Sequence, residues 1–202
     1  MFFKKEKEAI KQIEKEVKSI NKLEKLRDDF FNMLFMIAYS KNKSKLIKKA
    51  KIIANKIPEL KGWPENIEIF WNVESFGWNA RIEEKVRNKI KKELKQRSKG
   101  NCIELGSGSY PYLTKSTILD FSKDMLSNAP KGHKKIKADL NKTLPIKNSN
   151  YNSASMIFVV DYLDNLNNTL KEVKRILKKN GILIIVQAKK PISNYYHKHE
   201  KK

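Results

Sequence analysis

The sequence predicts an α/β fold: a parallel sheet of about five strands covered by helices, preceded by a helical extension. Three observations predict it. From residue 101 onward the spacing of apolar residues changes from every third or fourth to short continuous runs, as in strands buried on both faces. Those runs alternate with helical stretches, which is how parallel strands are connected. The length of 202 residues suits one such domain with an appendage.

Residues 4–38 read as one helix. Ile10, Ile13, Val17, Ile20 and Leu23 recur among Lys and Glu, and Phe30, Phe31, Leu34 and Ile37 widen the stripe. Packing against the rest of the chain is expected for that stripe. A second helix follows Ser44, with Leu46, Ile47, Ala50, Ile53 and Ala54 on one side, and Pro58 ends it. Residues 58–80 hold all three tryptophans, Trp63, Trp71 and Trp78, with Phe70 and Phe76. Such rings serve either as a hydrophobic clasp or as a wall beside a substrate pocket, and the clasp is the plainer reading. Helical spacing resumes over residues 79–96 through Ile82, Val86, Ile90 and Leu94, and Ser98-Lys99-Gly100 closes it. A helical extension over 1–97 and a core over 98–202 follow.

Within the core, Cys102–Leu105 is the first strand and Thr117–Phe121 the second. Lys135–Asp139 is a weaker third, Ser155–Val160 the fourth and Ile182–Val186 the fifth. Helices are expected at Lys123–Ala129 and at Leu166–Lys178, where Leu170, Val173, Ile176 and Leu177 share a face.

Composition narrows the function. Hydrophobic residues make up 40% and charged residues 33%, enough apolar surface to exclude global disorder. The longest apolar run, Phe30–Tyr39, falls well short of the roughly 18 residues that span a bilayer. The first residues lack a signal-peptide core, so a cytoplasmic protein is expected. Cys102 stands alone, which excludes an intramolecular disulfide and a thiolate zinc cluster. The net charge of +22 would draw RNA or an anionic membrane surface. It is spread evenly, however, +12 over 1–100 and +10 over 101–202, and 39 of the 44 cations are Lys, not the Arg fork that suits phosphate. A general lysine bias explains it equally well.

The chemistry gathers at the predicted strand ends. Gly106 and Gly108 follow the first strand, where glycine permits a sharp turn and close approach to a ligand. Pro111 stands where a dinucleotide fingerprint needs its third glycine, and no Gly-Lys-Ser or Gly-Lys-Thr follows, so a nicotinamide site and a Walker A loop are both disfavoured. Glu104, Asp120, Asp139 and Asp161 sit at or beside strand ends, and a carboxylate after the second strand can accept both hydroxyls of a ribose. His133, His197 and His199 lie in polar, Lys-rich surroundings and read as solvated; no metal site and no catalytic base is assigned.

At these residues the chain resembles the class I S-adenosylmethionine-dependent methyltransferases, most nearly the branch similar to the quinone-biosynthesis enzymes. Glu104-Leu105-Gly106-Ser107-Gly108 resembles the family's first motif, and Asp120-Phe121-Ser122 with Met125-Leu126 its second-strand signature. Asp139-Leu140 with Leu144-Pro145 is similar to its adenine-side segment, and Leu170–Lys178 with Gly181 to its last core helix and turn. The resemblance covers 101–187 and implies a Rossmann-like doubly wound sheet, S-adenosyl-L-methionine as cofactor and methylation of an acceptor. It implies Glu104, Gly106, Ser107 and Gly108 at the methionine part, Asp120 at the ribose and Phe121 against adenine. It further implies Asp139 and Leu140 at the adenine edge, and Val160 and Asp161 beside the methyl-transfer site. Trp71, Trp78 and Tyr162 are candidates to line the acceptor pocket.

Three departures stand beside it. Only twelve positions separate Gly108 from Asp120, so the first helix must be very short or absent. Tyr151-Asn152 replaces Phe-Asp, and Lys179-Asn180-Gly181 replaces Pro-Gly-Gly. Fifteen residues after Gln187 are too few for the family's C-terminal hairpin, so the expectation is either a sheet that stops at five strands or an edge finished by a second copy or a partner. The expected activity is methyl transfer to a small molecule, with RNA the next acceptor on account of charge. The alternative is a non-catalytic subunit of the same fold, or an RNA-binding scaffold.

Overall fold

The computed structural model describes residues 2–39, 43–78 and 82–188. His197 and His199 lie outside the described residues. The chain divides into two compact units, Met1–Phe70 and Trp71–Lys202.

In the first unit, helix α1 spans Phe2–Tyr39 and packs against α2, Lys43–Ala54. A 3-10 turn at Pro58–Leu60 follows. Phe30, Ala50, Ala54 and Ile57 are fully buried, and the Trp63 ring meets Phe30 edge to face at 5.1 Å. Arg27 holds the Glu59 carboxylate at 2.6 Å, and that hydrogen bond keeps the Glu59 pKa below the ordinary glutamate value. The apolar stripe of α1 is covered only in part. Ile13, Val17 and Ile20 are 59%, 48% and 56% exposed, against the expectation that the chain covers the whole stripe. The reason is length: the 12 residues of α2 reach about 18 Å at 1.5 Å per residue, and the 38 of α1 reach about 57 Å.

Helix α3, Ile67–Glu74, carries the chain into the second unit. Helix α4 is Glu84–Arg97, with Ile90 and Leu94 buried. The strands are β1 Cys102–Leu105, β2 Thr117–Asp120, β3 Lys134–Lys137, β4 Tyr151–Ile157 and β5 Leu177–Val186. Helices α5, Lys123–Asn128, and α6, Leu166–Ile176, complete the unit. The sheet has five strands in the order β3-β2-β1-β4-β5, all parallel. One face packs on a core that includes Ile103, Leu105, Leu119, Met156, Val173 and Ile176; the other on Leu94, Tyr112, Met125, Phe158 and Trp78.

No described helix fills the gap between β1 and β2; Gly106 to Ser116 runs as turns and bends. The strand order reverses beside β1, whose neighbours are β2 on one side and β4 on the other. Ligands of open parallel sheets bind at the carboxyl ends of strands where the order reverses. Here that point lies between the turn after β1 and the segment after β4.

Candidate functional site

The turn after β1 is built on two left-handed glycines, Gly106 at φ 65° and Gly108 at φ 58°. Gly106 N and Ser107 N donate to Leu119 O at 2.8 and 3.1 Å, which ties the turn to β2. A Cβ at Gly106 would stand 2.4 Å from Val159 Cγ2, so glycine is required there by the chain's own packing. At Gly108 the nearest atoms are the Trp78 indole Cδ1 and Nε1, both 3.4 Å from the Cβ position.

Asp120 ends β2 and is 7% exposed. Its Oδ2 accepts from Gly108 N and its Oδ1 from Ser122 N, each at 2.9 Å. Burial pushes the Asp120 carboxyl above the ordinary aspartate range, and these backbone amides, with that of Phe121, pull the other way. A carboxylate has about four lone-pair positions, so acceptor capacity remains for hydroxyl groups. Phe121 is half-buried beside it.

Glu104 is 2% exposed and faces a different set of donors. Oε2 accepts from Tyr112 N at 2.7 Å, and Oε1 from Leu113 N at 3.1 Å and Ser116 Oγ at 2.5 Å. Burial raises its pKa, and the bonds from Ser116, Tyr112 and Leu113 oppose the rise. In this arrangement Glu104 anchors the segment that stands in place of a first helix. His133, read from sequence as solvated, is half-buried, with Nδ1 3.0 Å from Ser116 O.

The remaining candidates spread along the same end of the sheet. Asp139 Oδ1 accepts from Asn141 N at 2.9 Å, within its own turn, and Leu140 is buried with Cδ1 3.5 Å from the Gly106 Cβ position. Val160 and Asp161 lie in a 3-10 turn, Val160–Tyr162, and the exposed Asp161 accepts from Gln187 Nε2. Trp71 meets Trp78 at 5.4 Å and Tyr162 at 4.9 Å, both edge to face, so the three acceptor-pocket candidates form a continuous run of rings. Trp63, from the same aromatic-rich stretch of sequence, lies in the first unit.

Sequence reasoning missed several residues here. Asn72 Oδ1 accepts from Ser122 Oγ at 2.6 Å, and no sequence signal marks it. Ser122 N-caps α5, accepting from Met125 N at 3.1 Å, and a serine before a helix with Asp124 in its first turn is a readable signal. Phe158 sits at φ 56°, a conformation rare for an aromatic residue. It lines a groove of about 780 Å³ between α4 and the ends of β4 and β5. Ile82, Val86, Ile90, Val186 and Ala188 supply the rest of the apolar wall, and Glu83, Glu93, Lys85, Lys89 and Gln187 the polar part.

A five-stranded parallel sheet with a glycine turn after the first strand and an acid closing the second has the Rossmann-like methyltransferase fold. Residues 103–185 match the family model described as a methyltransferase domain. Among solved structures, the chain is similar to a protein from Methanococcus maripaludis described as an S-adenosyl-L-methionine-dependent methyltransferase: 19% identity, TM-score 0.50, over 58% of this chain and 62% of that one. It is also similar to a protein from Thermotoga maritima described as a SAM-dependent methyltransferase, at 25% identity and TM-score 0.49, over 57% and 60%. A chain of the complex between the Haloferax volcanii Trm112 methyltransferase activator and a methyltransferase matches at 19% identity and TM-score 0.48, over 57% and 58%. The chain thus spans less than two thirds of each of these proteins. No curated protein matches its sequence. No described helix is long and apolar enough to cross a membrane.

Proposed function

We propose that residues 98–202 bind S-adenosyl-L-methionine and that the protein is a cytoplasmic enzyme that transfers the cofactor's methyl group to a small-molecule acceptor. The observation that carries this reading is the Asp120 carboxylate, which closes β2 and is bonded to the Gly108 amide at 2.9 Å, beside the reversal of strand order. Asp120 would take the ribose hydroxyls and Phe121 would lie against adenine, with Asp139 and Leu140 at its edge. The Gly106-Ser107-Gly108 turn would meet the methionine part, and Val160 and Asp161 would border the reacting centre. Glu104 would act on that part indirectly, by fixing the 112–116 segment. When bound, the cofactor supplies a methyl group on a sulfonium; the chain's part is orientation and exclusion of water.

A small-molecule acceptor is supported by the groove. Its volume is in the range of small-ligand sites, and its two Glu and two Lys balance in sign within a chain of net charge +22. A groove for a phosphate backbone would be one-sidedly basic. Phe158 lines the groove while Val159 covers Gly106, so consecutive residues join the groove to the glycine turn. Trp71, Trp78 and Tyr162 would wall the passage between them. The motifs at 104–108, 120–126 and 139–145 most nearly resemble those of the branch similar to the quinone-biosynthesis enzymes.

A second reading, a non-catalytic subunit of the same fold, is favoured by one observation: the Trp78 indole lies against Gly108, where the methionine part would approach. Calorimetry with S-adenosylhomocysteine separates the two. The enzyme reading expects saturable binding in the micromolar range; binding weaker than millimolar would overturn it.

A further inference from the structure

Asn72 belongs to no motif, yet it is bonded into the nucleoside end of the proposed site. Its Oδ1 accepts from Ser122 Oγ at 2.6 Å. Ser122 is fully buried, and each of its polar groups is directed by a neighbour. Its Oγ accepts from Met125 N at 3.1 Å as the cap of α5, so its single hydroxyl proton goes to Asn72. Its backbone N donates to Asp120 Oδ1 at 2.9 Å, and Asp120 Oδ2 accepts from Gly108 N at 2.9 Å. The bonds therefore run unbroken from Asn72 through Ser122 and Asp120 to the glycine turn. A second bond, Asn128 Nδ2 to Ser75 Oγ at 3.1 Å, fixes the same stretch of chain to the far end of α5.

We propose that Asn72 is a positioning residue: acting through Ser122, it sets the Asp120 carboxylate and couples the aromatic segment 71–78 to the cofactor site. The proposal rests on the cofactor reading above. Trp71 adjoins Asn72 in sequence and touches Trp78 and Tyr162, while Trp78 lies on Gly108. The rings on the acceptor side and the carboxylate on the nucleoside side are thus held by one bonded frame. A ligand that shifts the segment shifts Asp120, and by reciprocity a ligand held by Asp120 changes the affinity for the acceptor by the same factor.

The test is a double-mutant cycle with a ligand-free arm. S-adenosylhomocysteine binding is measured by calorimetry in wild type, Asn72→Ala, Asp120→Asn and the double variant, with Asn72→Ser as a milder second probe. Asn72→Ala should weaken binding about three- to tenfold in the wild-type background and less than about twofold in Asp120→Asn, since contacting groups couple and independent ones add. In the absence of ligand, carbon-13 NMR should show the Asp120 carboxyl titrating at a different midpoint in both Asn72 variants. Equal losses in the two backgrounds, or an unmoved Asp120 midpoint, overturn the proposal. If wild type binds no S-adenosylhomocysteine while the midpoint moves, the cofactor reading falls and the coupling stands. If wild type binds and the midpoint is unmoved, the coupling falls alone.

Discussion

Glu104 and Asp120 are buried carboxylates on adjacent strands, both raised in pKa by burial, yet their surroundings assign them different work. Every donor on Glu104 comes from one stretch, Tyr112, Leu113 and Ser116, and each closes a loop onto β1. The donors on Asp120 are backbone amides from the turns after β1 and β2, those of Gly108 and Ser122, with that of Phe121 beside them. Two buried acids therefore differ in what they hold together: Glu104 ties one segment to β1, and Asp120 joins the turn after β1 to the turn after β2.

The largest effect is expected at Glu104. Glu104→Ala removes the carboxylate that accepts from the buried Tyr112 amide, the part-buried Leu113 amide and the buried Ser116 hydroxyl, and urea unfolding should register a loss of about 3–5 kcal/mol. A loss under about 1 kcal/mol would mean the 112–116 segment holds its place without the anchor, and the contrast with Asp120 would break. Next comes Asp120→Ala, whose main effect should be on S-adenosylhomocysteine affinity, weakened by about 1–3 kcal/mol through unpaired hydroxyls, with less lost in unfolding than at Glu104. Unchanged affinity in calorimetry would remove Asp120 from the site. Between the two acids, Gly106→Ala forces a left-handed φ on alanine and a 2.4 Å contact with Val159. It should destabilise by about 1–3 kcal/mol, and adding Val159→Ala should recover only the part due to contact. Full recovery in thermal unfolding would show that backbone strain plays no part there.

The division between what the sequence revealed and what it hid follows the same contrast. Strands β1 and β2 were legible because each is buried along its whole length, so its residues had to form an apolar run. Strand β3 is an edge with three exposed lysines, and only Ile136 carried the signal. Strand β4 begins at Tyr151, four residues before the apolar run suggested. Its start holds Asn152 and Ser153, which serve as bonding partners for Lys99 and Asn101. Helix α3 was overshadowed by its aromatic residues, although Asn66 caps it by accepting from Ile69 N at 3.0 Å, a signal available in the sequence. At the site, Gly106, Gly108 and Asp120 stood out because short-range spacing fixes their relation to strand ends. The partners of Glu104 and the bond from Asn72 to Ser122 depend on how distant segments fold back, and no local pattern encodes that.

The smallest expected effect concerns pH, and it bears on both acids at once. A carboxyl whose folded pKa lies above its unfolded value binds more protons in the folded state, so its contribution to stability is complete below the unfolded value. It is lost as pH rises through the folded one. For Glu104 the window opens near the ordinary value of 4.5 and for Asp120 near 3.8, each extending upward. Loss of positive charge with rising pH acts on wild type and variants alike in a chain of +22, so the informative quantity is the difference in slope. Urea unfolding measured from pH 4 to 8 should show stability falling less steeply with pH in Glu104→Gln than in wild type, because glutamine has no proton to release. Asp120→Asn should flatten the slope in the same sense. Adding S-adenosylhomocysteine should alter the slope of wild type and of Glu104→Gln more than that of Asp120→Asn, since of these two acids only Asp120 is proposed to meet the ligand. A ligand-dependent slope that survives undiminished in Asp120→Asn would move the receptor role to another group.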